Sequence, residues 1–403
     1  MKNVLLLSTI YPLPSKENQG TSVCHFFTRE WVKMGYNVRV IHVQAVYPLP
    51  LYWLAKLFEK KIAAKTGAVV YTRRLNKVEK YIMDKVPVMR VPVYKPIPHG
   101  RFLSRSIEKV ALQIINDCKA NSFNPDVIIG HFPNPQLEIV GLLKNNYPSA
   151  KTCIVMHGDE DIMKKVYGNR LSGLMDKIDM WGFRSKTIEE DFEKIFGKVS
   201  NSFICYSGIP KYFLTVDNTH NYNQPLHNFV FVGGLVDRKY PDVIIDALLK
   251  AYPEKDFTIR YIGEGQLASV IDEKKTKHNL DERVFLLGRI PRDQIINEYD
   301  NADCMVMISK GEAYGLVYLE AMARGCITIA SKHEGFDGVI VNGENGFLCE
   351  AGNADELALL IQYINSLPSE ELNRISANAL NTAKKLTDEN AAKMYIDDVL
   401  DRM

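Results

Sequence analysis

Two glutamates, Glu312 and Glu320, stand with seven residues between them in the stretch Ser309-Lys-Gly-Glu-Ala-Tyr-Gly-Leu-Val-Tyr-Leu-Glu-Ala-Met-Ala-Arg-Gly325. The apolar run Cys304–Ile308 comes just before it. That order reads as a strand, a glycine-bearing turn and a helix that ends at Gly325. A helix start offers free backbone N–H groups and the positive end of the helix dipole, a natural seat for a diphosphate. Glu312 falls before the helix and Glu320 within it, so they do not share a helical face. Each is expected to touch a different part of one extended ligand. The plain alternative is a solvent-exposed glutamate pair flanking an ordinary helix.

Other chemistry-bearing residues also follow apolar runs. Phe229–Val232 leads into Gly-Gly-Leu-Val-Asp-Arg-Lys, which carries Arg238 and Lys239. Thr258–Ile262 leads into Gly263-Glu-Gly265. Taken with Ala268, this passes as a weak dinucleotide fingerprint, but that motif closes the first strand of its domain and here it follows the second. Thr152–Met156 leads into His157-Gly-Asp-Glu-Asp161, and Val127–Gly130 into His131-Phe-Pro-Asn-Pro135. A lone histidine after a strand is more often structural than catalytic. Asp159 and Asp161 have a spacing at which two carboxylates can hold Mg²⁺ or Mn²⁺ with a diphosphate.

The elements that must position these residues are legible as alternation. Short, continuously apolar runs alternate with longer helical patterns: Val4–Ser8, Val38–Val43, Val127–Gly130, Thr152–Met156 and Ser202–Cys205, then Phe229–Val232, Thr258–Ile262, Val284–Leu287, Cys304–Ile308 and Ile327–Ala330. Such runs suit parallel strands covered on both faces, and the alternation implies two doubly wound α/β units. A length of 403 residues suits two domains. Asn, His, Asp and Pro crowd between residues 215 and 228, which places the boundary there. The expected division is residues 1–215, residues 216–385, and a terminal helix over 386–403. That helix carries Met394, Tyr395, Val399 and Leu400 on one side and is free to pack back on the first domain.

Composition excludes several classes. The seven cysteines are odd in number, scattered and free of any Cys-x-x-Cys pair, so disulfide and zinc frameworks are poor readings and a reducing cytoplasm fits. No stretch approaches the roughly 18–20 apolar residues of a membrane span, and the first apolar run is too short for a signal peptide. The net charge of +2 hides an asymmetry. Residues 51–120 hold fifteen Lys or Arg against five Asp or Glu, a local charge of +10. Within them, Leu51-Tyr-Trp-Leu-Ala-Lys-Leu-Phe-Glu-Lys-Lys-Ile62 interleaves aromatic and aliphatic bulk with lysine. Such a helix suits an anionic membrane surface or an acidic acceptor; packing on its own domain is the rival. Nucleic acid is not expected, because no recognition module is visible.

The segment around Glu312 and Glu320 resembles the Glu-x7-Glu signature of retaining glycosyltransferases of family 4, in glycosyl transferases group 1, which have the GT-B fold. The resemblance is specific over residues 229–360 and thinner in the first half. It implies two facing Rossmann-like domains with the active site in the cleft between them. Glu312 would sit beside the donor sugar, the amides of Tyr314, Gly315 and Leu316 near sugar and diphosphate, and Glu320 on the ribose hydroxyls. Lys239 would pair with the leaving diphosphate. The family's usual arginine is Gly234 here, a departure for which Arg238 is the candidate substitute. Gly263 and Gly265 would lie under the donor. His157 would face the anomeric centre, with Asp159, Asp161 and His131 as capping or acceptor-side groups. Ile10-Tyr-Pro-Leu-Pro and Gln19-Gly-Thr-Ser-Val23 resemble the family's first loop, where Gly20 lets backbone approach the ligand. Residues 334–340 and 345–348 resemble closing elements of surface-polysaccharide enzymes.

The resemblance implies transfer of a hexose or N-acetylhexosamine from a nucleotide diphosphate sugar, UDP by preference, to a hydroxyl of a saccharide or lipid-linked saccharide, with retention. Neither metal nor cofactor is expected, and the location would be cytoplasmic, peripheral on the inner membrane face. Three other classes stay open: a sugar-nucleotide epimerase of the same architecture, an NAD-dependent enzyme, and a catalytically silent binder.

Overall fold

The structure, a computed structural model, describes residues 2–14, 22–66, 70–98, 100–158, 160–214, 220–222 and 225–401, with the side chains of 60–66 left aside. The first half builds strands β1 (Asn3–Ser8), β2 (Asn37–Val46), β3 (Glu79–Met83), β4 (Val86–Tyr94), β5 (Val127–His131), β6 (Lys151–Met156), β7 (Met180–Phe183) and β8 (Ser202–Ile204). The second builds β9 (Asn228–Val232), β10 (Thr258–Ile262), β11 (Val284–Gly288), β12 (Cys304–Val306), β13 (Ile327–Ser331) and β14 (Phe347–Cys349).

All ten apolar runs are strands. β1, β5, β6 and β13 are almost wholly buried, as expected of parallel strands with helices on both faces. The first sheet runs β3-β4-β2-β1-β5-β6-β7-β8 and the second β11-β10-β9-β12-β13-β14. Every pairing is parallel except β3 with β4. The second sheet is the 3-2-1-4-5-6 doubly wound order, and the first repeats it from β4 inward. The order therefore reverses between β1 and β5 in one sheet and between β9 and β12 in the other. Open α/β sheets bind ligands outside the carboxyl ends of the strands at such points.

The terminal helix Asp388–Asp401 packs on the first sheet's side of the molecule. Trp31 Nε1 donates to Ala392 O at 2.8 Å, Arg29 pairs with Asp388 at 3.0 Å, and Tyr395 lies edge-on to Phe27 and Trp31. Ala391, Ala392, Tyr395, Ile396 and Val399 are its buried stripe, while Met394, read from sequence as part of that side, is 42% exposed. Where the chain passes between the sheets, the two crossings run side by side: Ile209 N donates to Leu386 O at 3.1 Å and Asp388 N to Ile209 O at 2.8 Å.

Candidate active site

The switch point of the second sheet gathers three charges from two loops. After β9 a single 3-10 turn, Asp237–Lys239, presents Arg238 and Lys239; after β12 the chain presents Glu312. Glu312 Oε2 lies 3.4 Å from Arg238 Nη1 and 3.4 Å from Lys239 Nζ. The two loops are pinned by Lys310 N donating to Arg238 O at 2.7 Å. Lys239 is only 12% exposed, with its ammonium 3.4 Å from Met307 Sδ. Burial lowers its pKa more than the Glu312 carboxylate raises it. Behind Glu312, Glu334 Oε2 accepts its backbone N–H at 2.8 Å, and Gly335 N donates to Glu312 O at 2.8 Å. Burial raises the Glu334 carboxyl.

Gly263 and Gly265 serve the same loops from beneath. A Cβ on Gly263 would stand 1.9 Å from Gly233 O, and one on Gly265 would stand 2.2 Å from Leu235 O. The two glycines let the loop after β10 lie directly on the loop that carries Lys239.

Glu320 is held in a different cluster. It is 3% exposed in the helix Leu316–Met322, and its Oε1 accepts from Arg292 Nε at 2.7 Å. Burial raises its carboxyl, and Arg292 opposes that shift. The Arg292 guanidinium lies 5.6 Å from the Phe26 ring and 5.4 Å from the Phe213 ring, so aromatic residues from outside the second sheet enclose the pair. Gly315, at φ +85°, sets the turn into that helix, and Leu316 begins it. The Tyr314 side chain points the other way. Its hydroxyl donates to Ser207 O at 2.9 Å, and Arg184 covers its ring at 5.1 Å.

The first sheet answers with histidines at strand ends. His157 follows β6 and His131 closes β5. His131 Nδ1 lies 3.1 Å from His157 Nε2, and Tyr395 Oη lies 3.2 Å from His131 Nε2. The Phe132 ring stacks on His157 at 3.8 Å. Burial, with help from Arg184, pushes His131 down to about 3 and His157 well below the usual imidazole range, so both are neutral at pH 7. A cavity of about 290 Å³ lies between the two sheets, lined by His157, Glu160 and Thr187 on one side and Lys310, Glu312 and Glu334 on the other. Thr187 Oγ1 donates across it to Glu334 O at 3.2 Å.

The structure thus brings His157, Glu312, Lys239 and Arg238 to one cleft, with Gly263 and Gly265 beneath. Asp161 does not line the cavity: it is exposed in the first turn of the helix Glu160–Tyr167, and the buried Glu160 faces the cleft instead. Gly20 and Asp159 lie outside the described residues. Among the described residues, no three His, Cys, Asp or Glu side chains gather so as to hold a metal ion.

Residues 217–382, the segment that builds this half of the cleft, match the family model described as glycosyl transferases group 1. Over that segment the chain is similar to group 1 glycosyltransferases. It is 29% identical to an uncharacterized glycosyltransferase, MJ1178, of Methanocaldococcus jannaschii, over 65% of this chain and 71% of that protein. It is 24% identical to the amylovoran biosynthesis glycosyltransferase AmsK of Erwinia amylovora, over 87% of this chain and 88% of AmsK. Among solved structures it superposes on Anabaena Alr3699/HepE in complex with UDP, with a TM-score of 0.67, 17% identity and full coverage of both chains. That likeness shows the GT-B fold.

Sequence reading missed three residues that the fold places around the cleft. Arg184 follows β7, a strand of four residues too short to stand out as a run. It is buried, donates to Cys205 O at 2.6 Å and covers Tyr314. Arg292 follows β11 in Arg289-Ile-Pro-Arg-Asp293, a strand-end position that could have flagged it. Glu160 was passed over for its neighbours Asp159 and Asp161, because the Asp-x-Asp spacing drew attention from the helix phase.

Proposed function

We propose that this protein is a glycosyltransferase that transfers a hexose or N-acetylhexosamine, with retention, from a nucleotide diphosphate sugar to a hydroxyl of a saccharide or lipid-linked saccharide in surface polysaccharide synthesis. The observation that carries the reading is the meeting of Arg238, Lys239 and Glu312 at the switch point of the second sheet, across a cavity from His157. Negative charge develops on the leaving diphosphate in the transition state. Lys239 is buried and already oriented, so it can meet that charge without reorganisation, together with the amides of Tyr314, Gly315 and Leu316. Arg238 supplies the cation that Gly234 lacks. Glu312 holds both cations in place and lies where the donor sugar would sit. In this assignment Glu320, with Arg292 on one oxygen, meets the ribose hydroxyls.

His157 is neutral and stacked on Phe132, so it offers a hydrogen bond to the sugar or acceptor from the opposite wall. No covalent nucleophile or resident metal is assigned, and the departing diphosphate takes the acceptor proton. UDP is the preferred nucleotide; the UDP-bound HepE structure and the name of AmsK support the donor class and the polysaccharide context. Among the described residues, no helix is long and apolar enough to cross a membrane. We place the enzyme peripherally on the cytoplasmic face, held by the basic segment 51–120, whose helix Leu49–Thr66 leaves Trp53 77% and Leu57 75% exposed.

A thermal-shift series with UDP, GDP, ADP, CDP and NAD, first without metal and then with Mg²⁺, tests the donor assignment. Ligand at 100 times its dissociation constant stabilises by about 2.7 kcal/mol. A metal-free shift with one nucleoside diphosphate is expected. A shift with NAD alone, or only when metal is present, rejects the assignment.

A further inference from the structure

A second cavity, of about 220 Å³, opens in the first domain away from the histidines. Its floor includes Val46 and Tyr94, the last residues of β2 and β4, which pair with each other in register. Since β1, β2, β4, β5 and β6 are all parallel, it lies on the same carboxyl-end edge of the sheet as His131 and His157. Three cations line it, Arg74, Lys77 and Lys109, and no carboxylate does. Lys80 in the same segment, with Arg39 from β2, holds Asp117, and Arg90 holds Glu79. Arg74, Lys77 and Lys109 have no such ion pair among the described residues.

Polar donors complete the wall. Ser106 Oγ accepts from Tyr94 N at 2.9 Å, which leaves its own proton to donate, and Gln113 adds an amide. The exposed apolar helix adjoins the cavity as well. Tyr52 Oη accepts from Tyr47 N at 3.2 Å, just beyond the end of β2, and Arg74 bears electrostatically on that hydroxyl. Trp53, Leu54, Leu57 and Phe58 stand outward from the same helix. What sets these three cations apart is that they converge on one polar cavity, beside an apolar shelf and on the active-site edge.

We infer that this cavity binds the phosphate or diphosphate group of an anionic lipid at the membrane surface, so that the acceptor saccharide attached to such a group reaches the cleft along the sheet edge. This rests on the reading above and deepens it by naming the chemistry that holds the acceptor's far end. Each Lys or Arg near an anionic surface contributes roughly fivefold in affinity, so removing three should weaken binding about 100-fold.

The test compares the 403-residue protein with the triple variant Arg74→Ala/Lys77→Ala/Lys109→Ala. It uses co-sedimentation with phosphatidylcholine vesicles with and without phosphatidylglycerol, and titration with inorganic pyrophosphate. Expected are binding to the anionic vesicles only, a loss of about 100-fold in the triple variant, and displacement from vesicles by pyrophosphate. The UDP-induced thermal shift should be unchanged in the variant, which shows that it is folded and keeps the donor site separate. If the variant binds vesicles like the wild type while Trp53→Ser/Leu57→Ser does not, the apolar helix acts alone and the phosphate site is overturned. If pyrophosphate binds wild type but not the variant, and no vesicle binds either, the phosphate site stands and its lipid source is overturned. Failure of the UDP shift in both proteins strikes the donor assignment and leaves this site to its own readout.

Discussion

Lys239→Met separates catalysis from stability, because the structure gives the lysine opposite signs in each. Its ammonium stands 3.4 Å from Glu312 Oε2, which at an effective dielectric of about 20 is a gross attraction of roughly 5 kcal/mol. Burying an ammonium costs several kcal/mol. The lowered pKa shows that burial outweighs the attraction: the fold disfavours the charged form relative to the unfolded chain. Wherever the folded lysine carries its charge, that cost is present in the wild type. Methionine has similar length and no charge, while Arg238, half-exposed, still faces Glu312. Lys239→Met should therefore be neutral or stabilising by up to about 1 kcal/mol in urea denaturation. Losing a preoriented cation at the leaving group should nevertheless lower kcat by about 10²–10³. The assay is nucleoside diphosphate release from the donor identified by thermal shift. A variant that melts several degrees lower yet turns over normally would refute the reasoning, making Lys239 a structural ion-pair partner.

Glu320→Ala should cost about 2–4 kcal/mol of stability as well as weaken nucleotide binding, because it strands the Arg292 cation; Glu320→Ala/Arg292→Met should recover most of the stability but not the binding, read by urea midpoints and UDP titration. Stability should fall on mild acidification. His42 and His131 are pushed down to about 3 by burial, so the unfolded chain takes up protons first, and stability present above pH 6.5 is lost as pH falls. The loss is about 1 kcal/mol per histidine between pH 6.5 and 5.5, and a flat urea midpoint over that interval contradicts it. Gly263→Ala drives a Cβ to 1.9 Å from Gly233 O, so it should destabilise by about 2–3 kcal/mol and weaken donor binding together. Unaltered UDP affinity in that variant would separate the two loops.

The architecture was legible because its strands are buried on both faces and so read as unbroken apolar runs. The strands that escaped notice lack that property. β4 alternates and carries Pro87, registered only with β3, and Pro92, registered only with β2, so each proline falls where the strand has a single neighbour. β7 and β14 are only four and three residues long. In the cleft, Glu312, Lys239 and His157 were readable because each follows its strand within a few residues and belongs to a recognisable motif. Arg184 and Arg292 also follow strands, but neither belongs to such a motif, and what marks them is tertiary. Arg184 gains its place from Cys205 and Tyr314, and Arg292 from Phe26, Phe213 and Glu320, residues far apart in sequence. Spacing within one segment carries no trace of such company. Glu160 was lost for a different reason: only the helix start at Glu160 decides that it, rather than Asp161, turns inward.

The way the two halves are joined bears on how the cleft can close. The chain crosses between them at Ile209 and again at Thr387, and those crossings are hydrogen-bonded to each other, so any rotation of one domain on the other turns about that pair. Contacts near it move little. Tyr314 Oη reaches Ser207, two residues from the crossing, and can persist through opening. The Thr187 Oγ1 bond to Glu334 O spans the cavity itself. Glu334 is also the residue whose carboxylate accepts the Glu312 N–H. Glu334 therefore joins, through one residue, the wall of the cleft and the backbone of the glutamate that holds Lys239 and Arg238, so the contact across the cavity and the seating of the cations share a residue.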